Sequence, residues 1–457
     1  MSGVLHGVVA SLAGRVRDAF FRYVTLLLNT SATNGAQNNT FLDSSTNNFS
    51  ITRNGDTTQG SFNPYMPSGY WSGFFGSSNT SNIKIASNAA FGVGTGNFTV
   101  EFFLNLNAWS STNQRYFIVG VSGTDGIAIG RDSGANNLFV NISAIGSINV
   151  INYAWTPNIG QWYHVALVRS GTGTNQVALY IDGVSIATGT STASVAQNAV
   201  IIGGLDWATG YSAQGYISNV RFSNTARTIT VPTSPYTSDA NTLVLACQDN
   251  RFIDRSTNAF AITVNGDTRI SKFAPFNPPA SYSTASYGGS GYFDGAGDYL
   301  TTASSTSEAG NFTLEGWVNP LAATTGIVIS WGSETANRVY MYVTNTGVLA
   351  WGVFSVGDFN LGGSVPVGAW SHIAIVRSGT TVTGYVNGTS VGTTAYSGTA
   401  GNTGGFGIGA GRAGASPFTG YISNARAVQG TAVYTGNFTP STTPLTAITN
   451  TSLLLNF

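Results

Sequence analysis

Carboxylates are scarce in this chain, and their spacing limits its chemistry. Glutamate occurs only at Glu101, Glu308, Glu315 and Glu334. Hydrolysis of a glycosidic bond takes two carboxyl groups about 5–10 Å apart, which alternate positions of one strand supply readily because their side chains share a face. Glu101 and Glu315 each stand with no acidic residue within four positions, so no such pair assembles locally. His164 and His372 each follow a tryptophan by two positions, Trp162 and Trp370. With no serine or cysteine nucleophile beside them, both are expected to be hydrogen-bonded core histidines rather than general bases. The single cysteine, Cys247, follows the apolar run Leu243-Val244-Leu245 and reads as a small buried hydrophobe. No intrachain disulfide can form, and zinc-ligand spacings are absent.

Two further groups could bind a ligand. The turn Asp294-Gly295-Ala296-Gly297-Asp298 offers two carboxylates and flexible carbonyls, a set that suits calcium, with Asp294 and Asp298 as candidate ligands. Asp and Gly also serve turns through their backbone freedom, and the corresponding stretch Gly76–Asn82 carries neither acid, so the turn role is the stronger expectation. Trp109, Trp155, Trp207, Tyr211 and Trp331 lie beside Gly, Ser, Asn or Asp, where a ring can stack on a sugar while amide and carboxyl groups bond its hydroxyls. They are the glycan-binding candidates. Trp351 sits in an apolar run and reads as core.

The elements that must position these residues occur twice. Residues 161–170, QWYHVALVRS, run through a small polar turn into Val177–Ile181 and then Asp182-Gly183. Residues 369–378, AWSHIAIVRS, run into Val382–Val386 and then Asn387-Gly388. Asp-Gly and Asn-Gly supply positive φ in hairpin turns, so each copy is expected to be a three-strand meander. The first strand is largely apolar on both alternating faces, which places it in the middle of a stacked two-sheet sandwich. Further blocks extend the repeat: FLDSSTNNFSITRNGD (41–56) with FIDRSTNAFAITVNGD (252–267), GNFTVEFFLN (96–105) with GNFTLEGWVN (310–319), and GYISNVRFS (215–223) with GYISNARAV (420–428). So long a period means duplicated domains rather than a solenoid. The apolar run before each repeat, Val24–Leu28 and Leu243–Leu245, has a third copy, Leu453–Leu455, with no domain after it. This strand is therefore expected to close the preceding sandwich, with the two ends of the chain meeting on one sheet.

The fold class expected is all-β: two tandem antiparallel sandwiches of the jelly-roll type, over 23–238 and 239–457. A short amphipathic helix precedes them, because residues 2–22 carry Val4, Leu5, Val8, Val9, Leu12 and Val16 at helical spacing. Such a helix is marginal alone and is expected to dock or oligomerise. It lacks the basic start of a signal peptide, and Arg15 and Arg17 interrupt its apolar stretch. Composition excludes other classes. With 18 basic and 18 acidic residues the net charge is zero, unlike a nucleic-acid binder, and 12% aromatics are unlike a disordered chain. No apolar run of about 18 residues exists to span a membrane as a helix.

The blocks GYFDGAGDYL (291–300), GNFTLEGWVNP (310–320), AWSHIAIVRSG (369–379), GYVNGTSVG (384–392) and GYISNARAV resemble successive strands of a laminin-G-like domain of the concanavalin A-like lectin/glucanase superfamily. The resemblance implies a two-sheet jelly-roll, often glycan-binding and sometimes calcium-binding. The superfamily's glucanases use a Glu-x-Asp-x-Glu strand triplet, and this chain has none. FNPYMPSGYWSGFFG (62–76), residues 273–300 and residues 428–457 resemble such domains in virion proteins of tailed bacteriophages, particularly cyanophages. That resemblance implies a non-enzymatic tail fibre, or a capsid or neck decoration protein, on the surface of the virion. It would be held to other virion proteins by the N-terminal helix, be homo-oligomeric, and touch host-surface polysaccharide. A secreted or surface-bound bacterial carbohydrate-binding protein is the alternative.

Overall fold

The repeated meander forms as expected. Trp162–Arg169, Val177–Ile181 and Val184–Gly189 pair antiparallel in succession, as do Ser371–Ser378, Thr381–Val386 and Thr389–Ala395. Their tight turns use left-handed backbone at Asp182 (φ 48) and Gly183 (φ 79), and at Asn387 (φ 51) and Gly388 (φ 80), the two-residue geometry that matches strand twist. The computed structural model describes residues 41–457 apart from 77–79, 109–112, 133–135, 147–148, 277, 279–282, 304–309 and 336. The helix expected over 2–22, the run Val24–Leu28 and the candidate Trp109 lie outside the described residues. Among the described residues the one α-helix is the single turn Thr284–Tyr287, and no helix is long and apolar enough to cross a membrane.

Four antiparallel sheets stack as two sandwiches. In the first, an eight-stranded sheet runs Val184–Gly189, Val177–Ile181, Trp162–Arg169, Phe98–Leu106, Gly215–Ser223, Ser72–Phe75, Arg269–Ser271, with Thr242–Ala246 also paired to Gly215–Ser223. Its seven-stranded partner runs Ile262–Asn265, Asn82–Ile85, Val200–Ile202, Gln114–Val119, Ile127–Arg131, Asn137–Asn141, Ile151–Ala154. The second sandwich repeats the plan. Its eight strands run Thr58–Gly60, Ser290–Asp294, Thr419–Gln429, Phe312–Pro320, Ser371–Ser378, Thr381–Val386, Thr389–Ala395, with Thr451–Leu455 on Thr419–Gln429. The facing seven run Ile51–Asn54, Tyr299–Thr302, Phe406–Ile408, Gly326–Trp331, Val339–Val343, Leu349–Val353, Gly357–Gly362.

The strands Thr242–Ala246 and Thr451–Leu455 each close the sandwich that precedes them. Ser44 N donates to Leu454 O at 2.8 Å, so the start of the described chain lies against its last strand, while the run Val24–Leu28 named in the expectation lies outside the described residues. The sheets do not divide at 238/239, however. The hairpin after Thr242–Ala246, strands Ile262–Asn265 and Arg269–Ser271, also belongs to the first sandwich. Its counterpart near the start of the chain, Ile51–Asn54 and Thr58–Gly60, crosses to the second sandwich and pairs with Tyr299–Thr302 and Ser290–Asp294. The two hairpins, ITRNGDTTQG and ITVNGDTRIS, share six of ten residues, so local pattern suits either edge. The hairpin 262–271 stays with the sandwich that its own chain has just closed through Thr242–Ala246, and the hairpin 51–60 takes the equivalent edge of the second.

The segments after the hairpins cross reciprocally. Phe62 packs on Tyr421 (4.8 Å) and Trp370 (5.2 Å) of the second sandwich, while its counterpart Phe273 packs on Tyr216 (4.9 Å) and Trp162 (5.3 Å) of the first. Ser72 Oγ donates to Phe273 O at 2.6 Å and Ser290 Oγ to Phe62 O at 2.5 Å. The two halves are therefore related by a local pseudo-two-fold at their seam.

Candidate functional site

Within Phe98–Leu106, alternation sends Phe98, Val100, Phe102 and Leu104 into the core, leaving Thr99, Glu101, Phe103 and Asn105 on the outer face, yet all nine are buried. The loop 224–241 covers that outer face, and Thr99 Oγ1 donates to Thr225 O at 2.7 Å. Beneath it Glu101 Oε1 accepts from Arg221 Nε at 2.8 Å and Nη2 at 2.7 Å, and Oε2 accepts from the Tyr236 hydroxyl at 2.7 Å. His164 Nε2 lies 2.7 Å from that hydroxyl and 3.7 Å from the carboxylate. The second sandwich repeats the tetrad: Glu315 accepts from Arg426 (2.8 and 2.6 Å), Tyr434 (2.8 Å) and His372 Nε2 (3.1 Å). Burial alone would raise both carboxyl pKa values. Hydrogen bonds from the histidines and the adjacent guanidinium charges outweigh it and hold both below the usual range.

Both histidines are 1% exposed, as expected of core residues. The tetrads are clamps that fasten each long loop onto its sheet, with their glutamates and histidines buried. Sequence reading found the glutamates and histidines separately and missed that they meet. The equivalent Arg in GYISNVRFS and GYISNARAV was the available signal, whereas the tyrosine reaches the carboxylate from different loop positions in the two halves. Cys247 is buried, and burial pushes its thiol well up.

The structure gathers Asp294 and Asp298 with a third carboxylate, Asp56 of the crossing hairpin; all their nearest ligand oxygens lie within 4.8 Å of one another. Sequence separation hid Asp56. Asp298 is 1% exposed and serves the turn directly, accepting from Asp56 N at 2.6 Å and Asp294 N at 3.1 Å. Burial, with the neighbouring Asp294 and Asp56 charges, raises its pKa against those two hydrogen bonds. In the first sandwich Ser81 occupies the corresponding place and donates to Asp267. The donor set is chemically suited to a hard cation, but both Asp298 oxygens are already committed to backbone.

The aromatic candidates separate. Trp331 ends the strand Gly326–Trp331, is fully buried and packs on Phe312 (5.9 Å) and Phe406 (6.4 Å). Its glycine and serine neighbours suggested a loop, but it is a core residue. Trp351 is core too. Trp155 is half-buried against Tyr163 at 5.1 Å. Trp207 and Tyr211 come together. Their loop does not stand free in solvent: it folds onto the outer face of the seven-stranded sheet, against Ile118, Ala128, Phe139, Ile201 and Leu205. There the Arg115 guanidinium lies between the rings of Phe139 (4.7 Å) and Tyr211 (4.9 Å) and pairs with Asp132 at 2.7 Å. Trp207, half-buried, forms a ridge between two open hollows. One, of about 390 Å³, is lined by Arg115, Asp132, Asn141, Asn149 and Tyr211; the other, of about 620 Å³, by Lys84, Asp206, Thr80 and Asn265. A ridge of indole flanked by charged and amide groups can stack on a pyranose and bond its hydroxyls. The second half has Ala410-Gly-Arg-Ala-Gly-Ala-Ser at the corresponding loop and no such ring.

Stacked antiparallel sheets carrying a half-buried aromatic ridge define a lectin-type sandwich. Residues 77–230 and 294–433 match the family model described as the concanavalin A-like lectin/glucanases superfamily, and the chain belongs to that family. Among solved structures, mouse laminin alpha1 chain domains LG4-5 are 14% identical, with 83% of this chain and 96% of that one covered and a TM-score of 0.29. A putative carbohydrate binding protein from Bacteroides ovatus is 17% identical, with 45% and 60% covered and a TM-score of 0.33. A heptameric SAP-like pentraxin from Limulus polyphemus is 20% identical, with 34% and 80% covered and a TM-score of 0.28. No curated protein matches the chain.

Proposed function

We propose that this protein is a non-enzymatic glycan-binding protein carried on the surface of a tailed-bacteriophage particle, as a tail fibre or as a capsid or neck decoration. The observation that carries the glycan reading is the Trp207 ridge between two polar hollows on a lectin-type sandwich. Burial of Glu101 and Glu315 in arginine-tyrosine-histidine clamps supports binding rather than hydrolysis. The particle assignment rests on the resemblance of residues 62–76, 273–300 and 428–457 to virion proteins. Attachment through residues 2–22 to other virion proteins follows from their amphipathic pattern.

An open site with one main stacking ring buries little area, so affinity per site is low. Display in many copies restores avidity. The test is adsorption of monomeric and oligomerised protein to host-surface polysaccharide. Oligomers bind clearly and monomers barely, Trp207→Ala with Tyr211→Ala weakens adsorption, and no new reducing ends appear on long incubation. Release of oligosaccharide would establish an enzyme instead. Unchanged adsorption by the double variant would remove the ridge from the function. Immuno-electron microscopy of particles tests the location, and protein found only on a bacterial surface would favour the bacterial carbohydrate-binding alternative.

A further inference from the structure

The seam between the sandwiches holds a cleft of about 370 Å³, large enough for a sugar ring. Phe74, Tyr216 and Phe273 line it from the first sandwich, Tyr421 and Leu321 from the second, with Phe62 where the crossing segments meet. Phe273 is 46% exposed and presents a ring to solvent. Two cations stand in this aromatic setting. Arg269 stacks over Phe74 at 4.0 Å, and Lys272 Nζ lies 5.5 Å from the Phe62 ring centroid and 5.9 Å from that of Trp71 while donating to Ser61 O. Neither has a carboxylate within 4.0 Å among the described residues, whereas six other arginines do. Burial pushes the Lys272 ammonium down to about 7, the mark of a charge whose water has been removed without a counter-ion replacing it.

The pseudo-two-fold shows that the fold does not require this charge. In the first half, Thr58 stands where the second has Arg269, and Ser61 where it has Lys272, in the aligned stretches NGDTTQGSF and NGDTRISKF. Both hairpins nonetheless make the same strand pairings. Asn319, 2% exposed, lies in the cleft wall with its Oδ1 buried and without a hydrogen-bond partner among the described residues, as is that of its counterpart Asn105. A buried acceptor left unpaired is costly and is satisfied by a ligand hydroxyl or by water.

We propose that this seam cleft is a second saccharide site, selective for acidic sugars: ring faces pack on Phe273 and Tyr216, and the sugar carboxylate takes the Lys272 and Arg269 charges. The proposal rests on the glycan-binding reading above but uses none of the residues around Trp207. Carboxylate recognition by a desolvated cation is charge-assisted, so loss of both cations weakens binding about tenfold or more, at the 1.4 kcal/mol that corresponds to a factor of ten.

The test uses the whole chain and two immobilised polysaccharides, polygalacturonate and a neutral galactan. The variant Arg269→Thr with Lys272→Ser imports the residues of the other half and is checked by its melting curve; Trp207→Ala with Tyr211→Ala is run beside it. Uronate binding that falls at least tenfold in the first variant, with galactan binding unchanged, supports the seam site. Uronate binding that survives the first variant and falls in the second overturns it and leaves the Trp207 reading standing. No uronate binding by the unaltered chain overturns it as well, whatever galactan does. Should the charge swap lower the melting point, Lys272→Gln alone, with protection of Lys272 from acylation by galacturonate oligomers, decides: protection supports the site and its absence rejects it.

Discussion

Asp43 and Asp254 occupy equivalent places just before the two hairpins, and exchanging either for alanine should damage the sandwich to which its hairpin belongs. Asp43 accepts from Leu454 N (3.0 Å), Ser45 N (2.9 Å), Ser45 Oγ (2.8 Å) and Phe49 N (2.8 Å). Asp254 accepts from Leu245 N (2.9 Å), Ser256 N (2.9 Å), Ser256 Oγ (2.7 Å) and Phe260 N (3.1 Å). Each carboxylate thus holds the closing strand of one sandwich, and both are buried. Removing one deletes several charge-assisted hydrogen bonds and leaves buried amides unpaired, a loss of about 3 kcal/mol. For a unit of roughly 200 residues that is a fall of about 6–12 °C in melting temperature. Hydrogen exchange read strand by strand is the discriminating assay. Asp43→Ala should accelerate exchange in Thr451–Leu455 and Tyr299–Thr302, at the far end of the chain, and spare Thr242–Ala246; Asp254→Ala should do the reverse. If Asp43→Ala instead loosens Thr242–Ala246, the crossing of the first hairpin is wrong.

Glu315 has a depressed folded pKa, so its ionised form contributes stability above the ordinary glutamate range, and that contribution disappears as pH falls through the lower folded value. Glu315→Gln should cost about 3 kcal/mol at pH 7, because Arg426 is left buried without its charge partner, and the deficit should shrink below pH 4; melts from pH 3 to 7 that show a constant gap would refute this. Calcium should raise the melting temperature little, because Asp298 spends both oxygens on backbone amides. A ligand at a hundred times its dissociation constant would add about 2.7 kcal/mol, so a rise of many degrees with millimolar calcium, abolished by Asp294→Asn, would make the three aspartates a true site.

Much of the fold could be read from strand period and repetition. The meanders, their Asp-Gly and Asn-Gly turns, the doubly buried central strands and the closing role of Leu453–Leu455 all follow from local pattern, and local pattern is what alternation encodes. The destination of each hairpin was not legible, since ITRN and ITVN make equally good edge strands for either half. For the same reason the Asp56 carboxylate, the seam cleft and the meeting of Glu101 with Tyr236 were hidden: each joins residues far apart in sequence. Trp331 was misplaced because Gly332 and Ser333 mark the end of its strand, not a loop that contains it. Trp207 and Tyr211 were singled out by composition, but their packing onto the outer sheet face depends on a buried apolar cluster there, Ile118, Ala128, Phe139 and Ile201, that composition does not reveal.

The crossing also sets an order of events during synthesis. All the strands of the first sandwich have been made once residue 271 is out, although Trp317, Ala369 and Trp370, which join its core, follow later. The hairpin at 51–60 is made before any of this, yet its partners at 290–302 come more than two hundred residues later. Until then it carries an unpaired strand edge, beside a first sandwich whose similar hairpin has not yet been made. It could seat there provisionally and be displaced when residues 262–271 emerge. Long-range closure of this kind is slow and leaves edges open to other chains. Crowded nascent copies would therefore exchange hairpins, and synthesis rate, more than final stability, would govern how much of the protein ends as linked chains.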